Sequence, residues 1–269
     1  MKMAVKRDVL QQRLREFWDG QEAYWETTAA EEPTLLRNRG RAASFLPNGA
    51  TVLDAACGNS ANARLLAGRC RYFGVDLSLT GLRSAVRPGL HLACGDTHRL
   101  PFCDASFDVA IATYVLEHSV APRQMLREML RVVRPSGRLI LLGPAWDLPF
   151  WYPNSLLSRA HSCSWWLRYT LERVSRQMAG WWFGLLPFQI IDHPDALDRE
   201  FIYDADAVYI VWTYEVIRQM RRWGCRLVHW EVDDRLLGAN AAVRWLKRII
   251  MLLPPYRRAG STTLLVFES

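Results

Sequence analysis

Three aspartates stand where chemistry could be held. Asp54 follows the apolar Val52-Leu53 and opens into Ala55-Ala56-Cys57-Gly58-Asn59-Ser60. Asp76 follows Tyr72-Phe73-Gly74-Val75, and Asp96 lies in Cys94-Gly95-Asp96-Thr97. A carboxylate at the end of a strand can accept both hydroxyls of a ribose, as in doubly wound nucleotide-binding folds. One strand further on, an acid can accept from an exocyclic amine such as that of adenine. The small residues after Asp54 allow a ligand to approach the backbone closely. Phosphate is disfavoured there, because the loop has one glycine instead of the three of GxGxxG, GxxxxGK[ST] is absent, and Asp54 would repel it. Each aspartate alone also suits an N-cap or a turn. Together they point to an adenosine with a cationic tail.

These acids need strands that end side by side. Val5 to Trp18 is expected to be a helix, followed by a short amphipathic piece at Ala23 to Thr28 and a helix from Leu35 to Leu46, stopped by Pro47-Asn48-Gly49. Strands are then expected at Thr51–Leu53, Tyr72–Val75, Leu90–Leu92, Phe107–Ala112 and Arg138–Leu142. Helices alternate with them at Ala61–Ala67, Leu79–Val86 and Arg123–Val133, the last closed by Pro135-Ser136-Gly137. Short apolar strands alternating with helices imply crossover connections and a parallel sheet covered on both faces. The rhythm resumes with a helix at Ala205–Trp223 and strands at Arg226–Glu231 and Thr262–Glu268. The division expected is a helical cap over 1–46, a cofactor-binding half over 47–143, a substrate-lid insertion over 144–203 and a completion of the sheet over 204–269.

The 269 residues are half hydrophobic and 23% charged, enough for a large core and unlike a disordered or low-complexity chain. No uncharged apolar run reaches the ~18–20 residues that cross a bilayer, and the charged start MKMAVKRDVLQQRLREFWDG does not read as a secretory signal. A soluble, cytoplasmic protein is expected. The six cysteines form no CxxC and have no histidine at ligand spacing, so buried free thiols are expected and no metal site. The net charge of +7 comes almost wholly from arginine, which coding bias alone can produce, so it says little about partners.

The motifs taken in order resemble the class I S-adenosylmethionine-dependent methyltransferases, in particular the small-molecule, type 11-like group. DAACGNS is similar to that family's DxGCGxG loop, YFGVDLS to its second acidic motif, GDTHRLPFCDASFDVAIATYVLEH to its adenine loop and fourth strand, and LREMLRVVRPSGRLILLG to its approach to the fifth strand. The likeness covers 45–143 well and 204–269 loosely; Ala56 and Ser60 stand where the family usually has glycine. It implies an α/β, doubly wound Rossmann-like fold, with a mostly parallel seven-stranded sheet, helices on both faces and an inserted aromatic-rich lid. It also implies S-adenosyl-L-methionine as cofactor and S-adenosyl-L-homocysteine as product. Asp54, Ala55 and the Ala56-Cys57-Gly58 backbone would lie by the methionine part, Asp76 and Leu77 by the ribose, Asp96 and Thr97 by the adenine, and Thr113 by the sulfonium.

A sulfonium leaving group leaves the protein mainly to align the reactants and exclude water. A base is needed only for an acceptor that is poorly ionised; His118, Tyr114 and Glu117 are candidates, with His161 and His193 in the insertion behind them. Tyr24 and Trp25 could close over the cofactor, and Trp146 and Trp151 belong to a Trp-rich stretch that would form a pocket for a greasy or planar acceptor. The same aromatics could instead seal a small core of the insertion. Nucleic acid is not expected as a partner, because ATYVLEH stands where amino-methylases carry [DN]PPY and a Pro-Cys nucleophile is missing. Arg235–Arg258 interleaves apolar and basic residues, as helices on a membrane surface do, which would bring peripheral membrane contact. The expected function is methyl transfer to a small, largely hydrophobic acceptor such as a secondary metabolite, quinone or lipid. The alternatives are a membrane-surface lipid methyltransferase, a non-catalytic cofactor binder and, disfavoured by the missing glycines, a nicotinamide oxidoreductase.

Overall fold

The computed structural model describes residues 2–21, 25, 33–66, 68–85, 89–159, 162–192, 194, 206–233 and 241–269. In chain order the first half runs α1 (Lys2–Asp19), α2 (Pro33–Ala43), β1 (Thr51–Ala55), α3 (Ala61–Leu66), β2 (Arg71–Asp76), α4 (Leu79–Ser84), β3 (His91–Cys94), β4 (Phe107–Thr113), α5 (Pro122–Val132) and β5 (Val133–Pro144). The second half adds α6 (Cys163–Phe183), α7 (Thr213–Arg222), β6 (Arg226–Asp233), α8 (Ala241–Ile250) and β7 (Thr262–Glu268). The seven strands form one sheet in the order β3-β2-β1-β4-β5-β7-β6. The first five pair in parallel, and β7 runs antiparallel between β5 and β6.

The pleat decides which side chain meets which helix, since alternate residues face opposite sides. Val52, Val109, Ile111, Ile140, Leu142, Leu264 and Val266 face one side, where Ala42 and Ala43 of α2 and Ala63 and Leu66 of α3 pack. Leu53, Ala110, Ala112, Leu139, Leu141, Leu265 and Phe267 face the other, under Met125, Leu126 and Met129 of α5 and Val216, Ile217 and Met220 of α7. Asp54 shares the parity of Val52, and Thr113 that of Ile111. Both polar side chains are thereby sent to the α2–α3 side.

Several expectations are corrected. The helix expected from Ala205 begins at Thr213, and 206–212 is non-helical, with Tyr209 bridged to Ile190. Its Val208-Tyr209-Ile210-Val211-Trp212 is buried throughout and β-branched or aromatic, so it carries no helical stripe. The start of the helix is fixed by Asp147, whose carboxylate accepts from the Thr213 backbone N at 2.7 Å and hydroxyl at 3.0 Å. Pro135-Ser136-Gly137 does not separate helix from strand; it lies within β5, at an irregularity opposite Phe107 and Val109, with Ser136 at φ 63°. The cysteines are not uniformly buried: Cys57 and Cys225 are, whereas Cys94, Cys103 and Cys163 are exposed.

Candidate active site

Asp76 is the last residue of β2, and its carboxylate is gripped by backbone. Oδ2 accepts from Gly58 N at 2.7 Å and Oδ1 from Ser78 N at 2.8 Å. Burial raises its pKa, and these two N–H groups act against that shift. The β1 loop is tied to the same strand, since Cys57 N donates to Val75 O at 3.0 Å. Burial pushes the Cys57 thiol far up, so it stays protonated. The end of α1 reaches this corner. Asp19 accepts from the Ser78 hydroxyl at 2.9 Å, and the Thr80 hydroxyl donates to the Asp19 carbonyl at 2.9 Å. Trp25 follows, its indole N–H donating to the Trp18 carbonyl at 3.0 Å. A Cβ on Gly58 would stand 2.7 Å from the Trp25 ring and one on Gly81 3.1 Å from it, so the indole lies between the β1 loop and α4.

Asp54 and Asp96 are engaged differently. Asp54 is buried on the α2–α3 side, where both its oxygens accept from Asn62 Nδ2 at 3.0 Å and Oδ2 accepts from the Tyr72 hydroxyl at 2.6 Å. Burial pushes it up to about 6 despite these bonds and the Arg39 guanidinium. Asn62 also donates to the Thr113 hydroxyl at 3.0 Å, and Arg39 donates to both Asn62 and Thr113. Beside them Tyr114 takes φ 57°, with Arg39 over its ring and Asn38 donating to its hydroxyl at 3.2 Å. Asp96 Oδ1 faces His98 Nδ1 at 2.7 Å, and His98 Nε2 faces the Ser119 hydroxyl at 2.8 Å. Partial burial would raise the Asp96 pKa, but the bonds from His98 outweigh it and hold it low. The three strand ends adjoin, with Gly95 N donating to the Asp76 carbonyl at 2.9 Å. Their carboxylates do not form one open cradle: Asp54 looks into the sheet–helix layer. Ala55 is fully buried, Ala56, Leu77 and Thr97 are half-buried.

After β4 the chain makes a 3-10 turn, Leu116–His118. It brings His118 Nδ1 to 2.9 Å from Asp206 Oδ2 and Nε2 to 3.6 Å from Glu117 Oε1, both acids being buried. The Glu117 carbonyl accepts from Val208 N and Tyr209 N, each at 2.8 Å, which fixes the segment carrying Asp206. Trp18 meets the His118 ring edge-on at 5.8 Å. His118, still 22% exposed, is therefore a base candidate whose ring is aimed by a neighbouring carboxylate.

The insertion is divided between the main core and a small cluster around Phe150 and Tyr256. Trp146, 4% exposed, belongs to the main core with Tyr169, Phe188 and Ile191, and Trp165 stacks on Tyr169 at 5.2 Å. Trp146 is thus a packing residue in this structure, contrary to its expected place on a pocket wall. Trp151 is partly exposed, and its carbonyl accepts from the Tyr169 hydroxyl. Tyr24, His161 and His193 lie outside the described residues.

Residues 53–141 match the family model described as a methyltransferase domain. The matched stretch runs from β1 into β5, the part of the sheet that carries the three strand-end acids. Among its relatives, the demethylmenaquinone methyltransferase of Corynebacterium urealyticum is 37% identical over 108 residues, covering 40% of this chain and 47% of the relative. The phthiotriol/phenolphthiotriol dimycocerosates methyltransferase 1 of Mycobacterium ulcerans is 34% identical over 116 residues, covering 39% and 42%. The chain spans less than half the length of these curated relatives. A Burkholderia thailandensis 1,6-didemethyltoxoflavin-N1-methyltransferase, solved with 1,6-didemethyltoxoflavin and S-adenosylhomocysteine bound, has the same fold: TM-score 0.57, 15% identity, 96% of this chain and 88% of that one.

In the β1 loop the two residues that stand in place of glycine adopt a backbone that glycine favours. Ala56, Gly58 and Ser60 have φ of 57°, 52° and 57°, so two residues with side chains occupy the left-handed region. Sequence reasoning missed Arg39, Asn62, His98 and Asp206. Asn62 had a faint signal, as a buried-face polar residue in a small-residue helix. His98 stands two residues after Asp96, a spacing that the sequence does show, whereas Arg39 and Asp206 pair with residues far along the chain and leave none to read.

Proposed function

We propose that the chain binds S-adenosylmethionine at the ends of β1, β2 and β3 and methylates a small, largely hydrophobic acceptor. The observation that carries this reading is Asp76, a buried carboxylate fixed beside the left-handed β1 loop by the Gly58 and Ser78 N–H groups. Each of its oxygens keeps a lone pair, which suits the two hydroxyls of a ribose. When bound, the cofactor supplies a methyl group activated by a sulfonium. Asp76 with Leu77 holds the ribose, Asp96 with Thr97 the adenine edge, and Asp54 and the Ala55–Gly58 backbone flank the methionine part. Thr113, kept in place by Asn62 and Arg39, borders the reacting end. Trp25 covers the glycine loop and keeps water from it.

On the acceptor side His118 takes the proton of a hydroxyl at Nε2, while Asp206 beside Nδ1 holds the ring and stabilises its charged form. The names of the quinone and lipid methyltransferases among the relatives, and the S-adenosylhomocysteine in the Burkholderia structure, support the acceptor class and the cofactor. Titration calorimetry of the full chain with S-adenosylhomocysteine tests the reading, followed by transfer of labelled methyl to a prenylated naphthohydroquinone. Binding that weakens in Asp76→Ala is expected. A wild-type protein that does not bind the nucleoside would overturn the proposal.

A further inference from the structure

The last third of the chain carries a surface that methyl transfer does not use. On α8, Trp245 is 67% exposed and Ile249 is exposed as well; in the turn that follows, Leu252 is 74% exposed and Leu253 stands beside it. Trp245 and Ile249 lie one helical turn apart on α8, and Leu252 and Leu253 extend this exposed apolar stripe past its last residue, Ile250. Arg244, Arg248, Arg257 and Arg258 are exposed around it, and 241–261 contains no Asp or Glu. Next to this segment α6 ends in Trp182 and Phe183, also largely exposed. The two meet over a small core of Leu148, Phe150, Tyr256 and Ala259, on which Met178 of α6 and Ile250 of α8 pack.

The α6 tip is held, not loose. Arg218 donates to the carbonyls of Gly180 and Trp181, and Arg222 to that of Gly184. The apolar groups are thus fixed outward at the cost of leaving them in water, and a solvated monomer gains nothing from that. Charge identifies what covers them. Protein interfaces also enrich arginine and tryptophan, but here every charge from 241 to 261 is positive, the composition of a helix lying among anionic headgroups. Tryptophan at the margin suits the same depth. Among the described residues no helix is long and apolar enough to cross a membrane, so the contact is with its surface.

We propose that the α8 face, flanked by the α6 tip, docks on the surface of an anionic lipid bilayer. The inference stands apart from the cofactor and would survive its failure. The test is flotation of the full chain with vesicles of phosphatidylglycerol and phosphatidylcholine, against phosphatidylcholine alone. Wild type is expected to float with the anionic vesicles and to detach as salt rises. The double variant Trp245→Glu, Leu252→Glu is expected to bind about tenfold more weakly or not at all; both side chains are exposed, so its circular dichroism should be unchanged. Arg248→Glu with Arg257→Glu should act in the same direction. No flotation of wild type overturns the proposal. So does flotation indifferent to the apolar variant, which would assign binding to the net charge alone. A wild-type dimer in light scattering that the variant dissociates would give the face to a second copy of the chain and overturn it as well.

Discussion

The ends of β2 and β3 and the segment between β5 and β6 both bury acids, and they use them in opposite ways. In the first half Asp76 and Asp96 are satisfied from neighbouring turns: Asp76 by Ser78 and Gly58, Asp96 by His98. Between β5 and β6 two of the three contacts span long stretches of chain. Asp147 caps Thr213, and Glu215 accepts from Phe188 N at 2.6 Å and the Tyr209 hydroxyl at 2.9 Å. Local pairing leaves carboxylates at strand ends, ready for a ligand. Long-range pairing spends them on tying the insertion to the sheet. The first kind builds a site and the second builds a core.

The sharpest way to break that comparison is to remove a tryptophan. Trp146→Ala should destabilise the whole protein by about 3–5 kcal/mol, in one cooperative urea transition, because its side chain belongs to the main core. Trp182→Ala, on the exposed tip, should stay within about 0.5 kcal/mol. A separate early transition in Trp146→Ala would restore an independent lid. On the catalytic side His118→Asn should lower kcat by about 10²-fold or more with an acceptor that must lose a proton. Asp206→Asn should lower kcat less and alter its pH profile, as expected of a residue that positions the ring.

Asp76→Ala should weaken S-adenosylhomocysteine binding by roughly 1.5–3 kcal/mol, read by calorimetry. Fold stability should move less than in Trp146→Ala. Unchanged affinity would mean that the ribose is held elsewhere.

The sheet was legible because its signal is local. The pleat makes Val109-Ala110-Ile111-Ala112 alternate between two apolar layers, and the strands at Thr51, Tyr72, Phe107 and Thr262 start within a residue or so of where the pattern places them. The loop acids could be located for the same reason. What escaped depends on contacts that no window of sequence contains. The segment 206–212 is buried on every side and so has no periodicity to favour strand or helix. Arg39 reaches Thr113 and Asp206 reaches His118 only after the sheet and insertion have closed. Trp146 and Trp182 are the same residue type in the same Trp-rich stretch, yet one is core and the other surface.

The buried acids also set a pH dependence. Burial pushes Glu215 from 4.5 up to about 7 and Asp147 from 3.8 up to about 6, with the Thr213, Phe188 and Tyr209 bonds acting against it. In the unfolded chain both ionise at their ordinary values. Between those values and about 7 the unfolded state has released protons that the folded state keeps. Stability is therefore full below the window and falls as pH rises through it, by on the order of 2 kcal/mol for such a group. Asp54, at about 6, adds to the lower part from the cofactor half. Urea titrations across pH should show the decline, and Glu215→Gln should reduce the slope from 4.5 to about 7 and remove most of it above about 6, where Asp147 and Asp54 no longer contribute. A slope unchanged in that variant would move the pH sensitivity away from Glu215.

The smallest effect tests the cofactor loop itself. A residue with a Cβ at left-handed φ costs about 1–2 kcal/mol, and glycine there costs about 0.5–1 kcal/mol in chain entropy. Ala56→Gly and Ser60→Gly should therefore each stabilise the fold by up to about 1 kcal/mol, since both residues sit at φ 57°. Gly58→Ala should do the reverse by more, because it adds the left-handed penalty and drives a Cβ to 2.7 Å from the Trp25 ring, itself anchored to the Trp18 carbonyl. If the two glycine variants act on backbone strain alone, cofactor affinity follows loop stability in them. Gly58→Ala then loses more affinity than stability, because displacing the indole opens the Asp76 corner to water. Equal losses would instead make Trp25 a bystander at that corner.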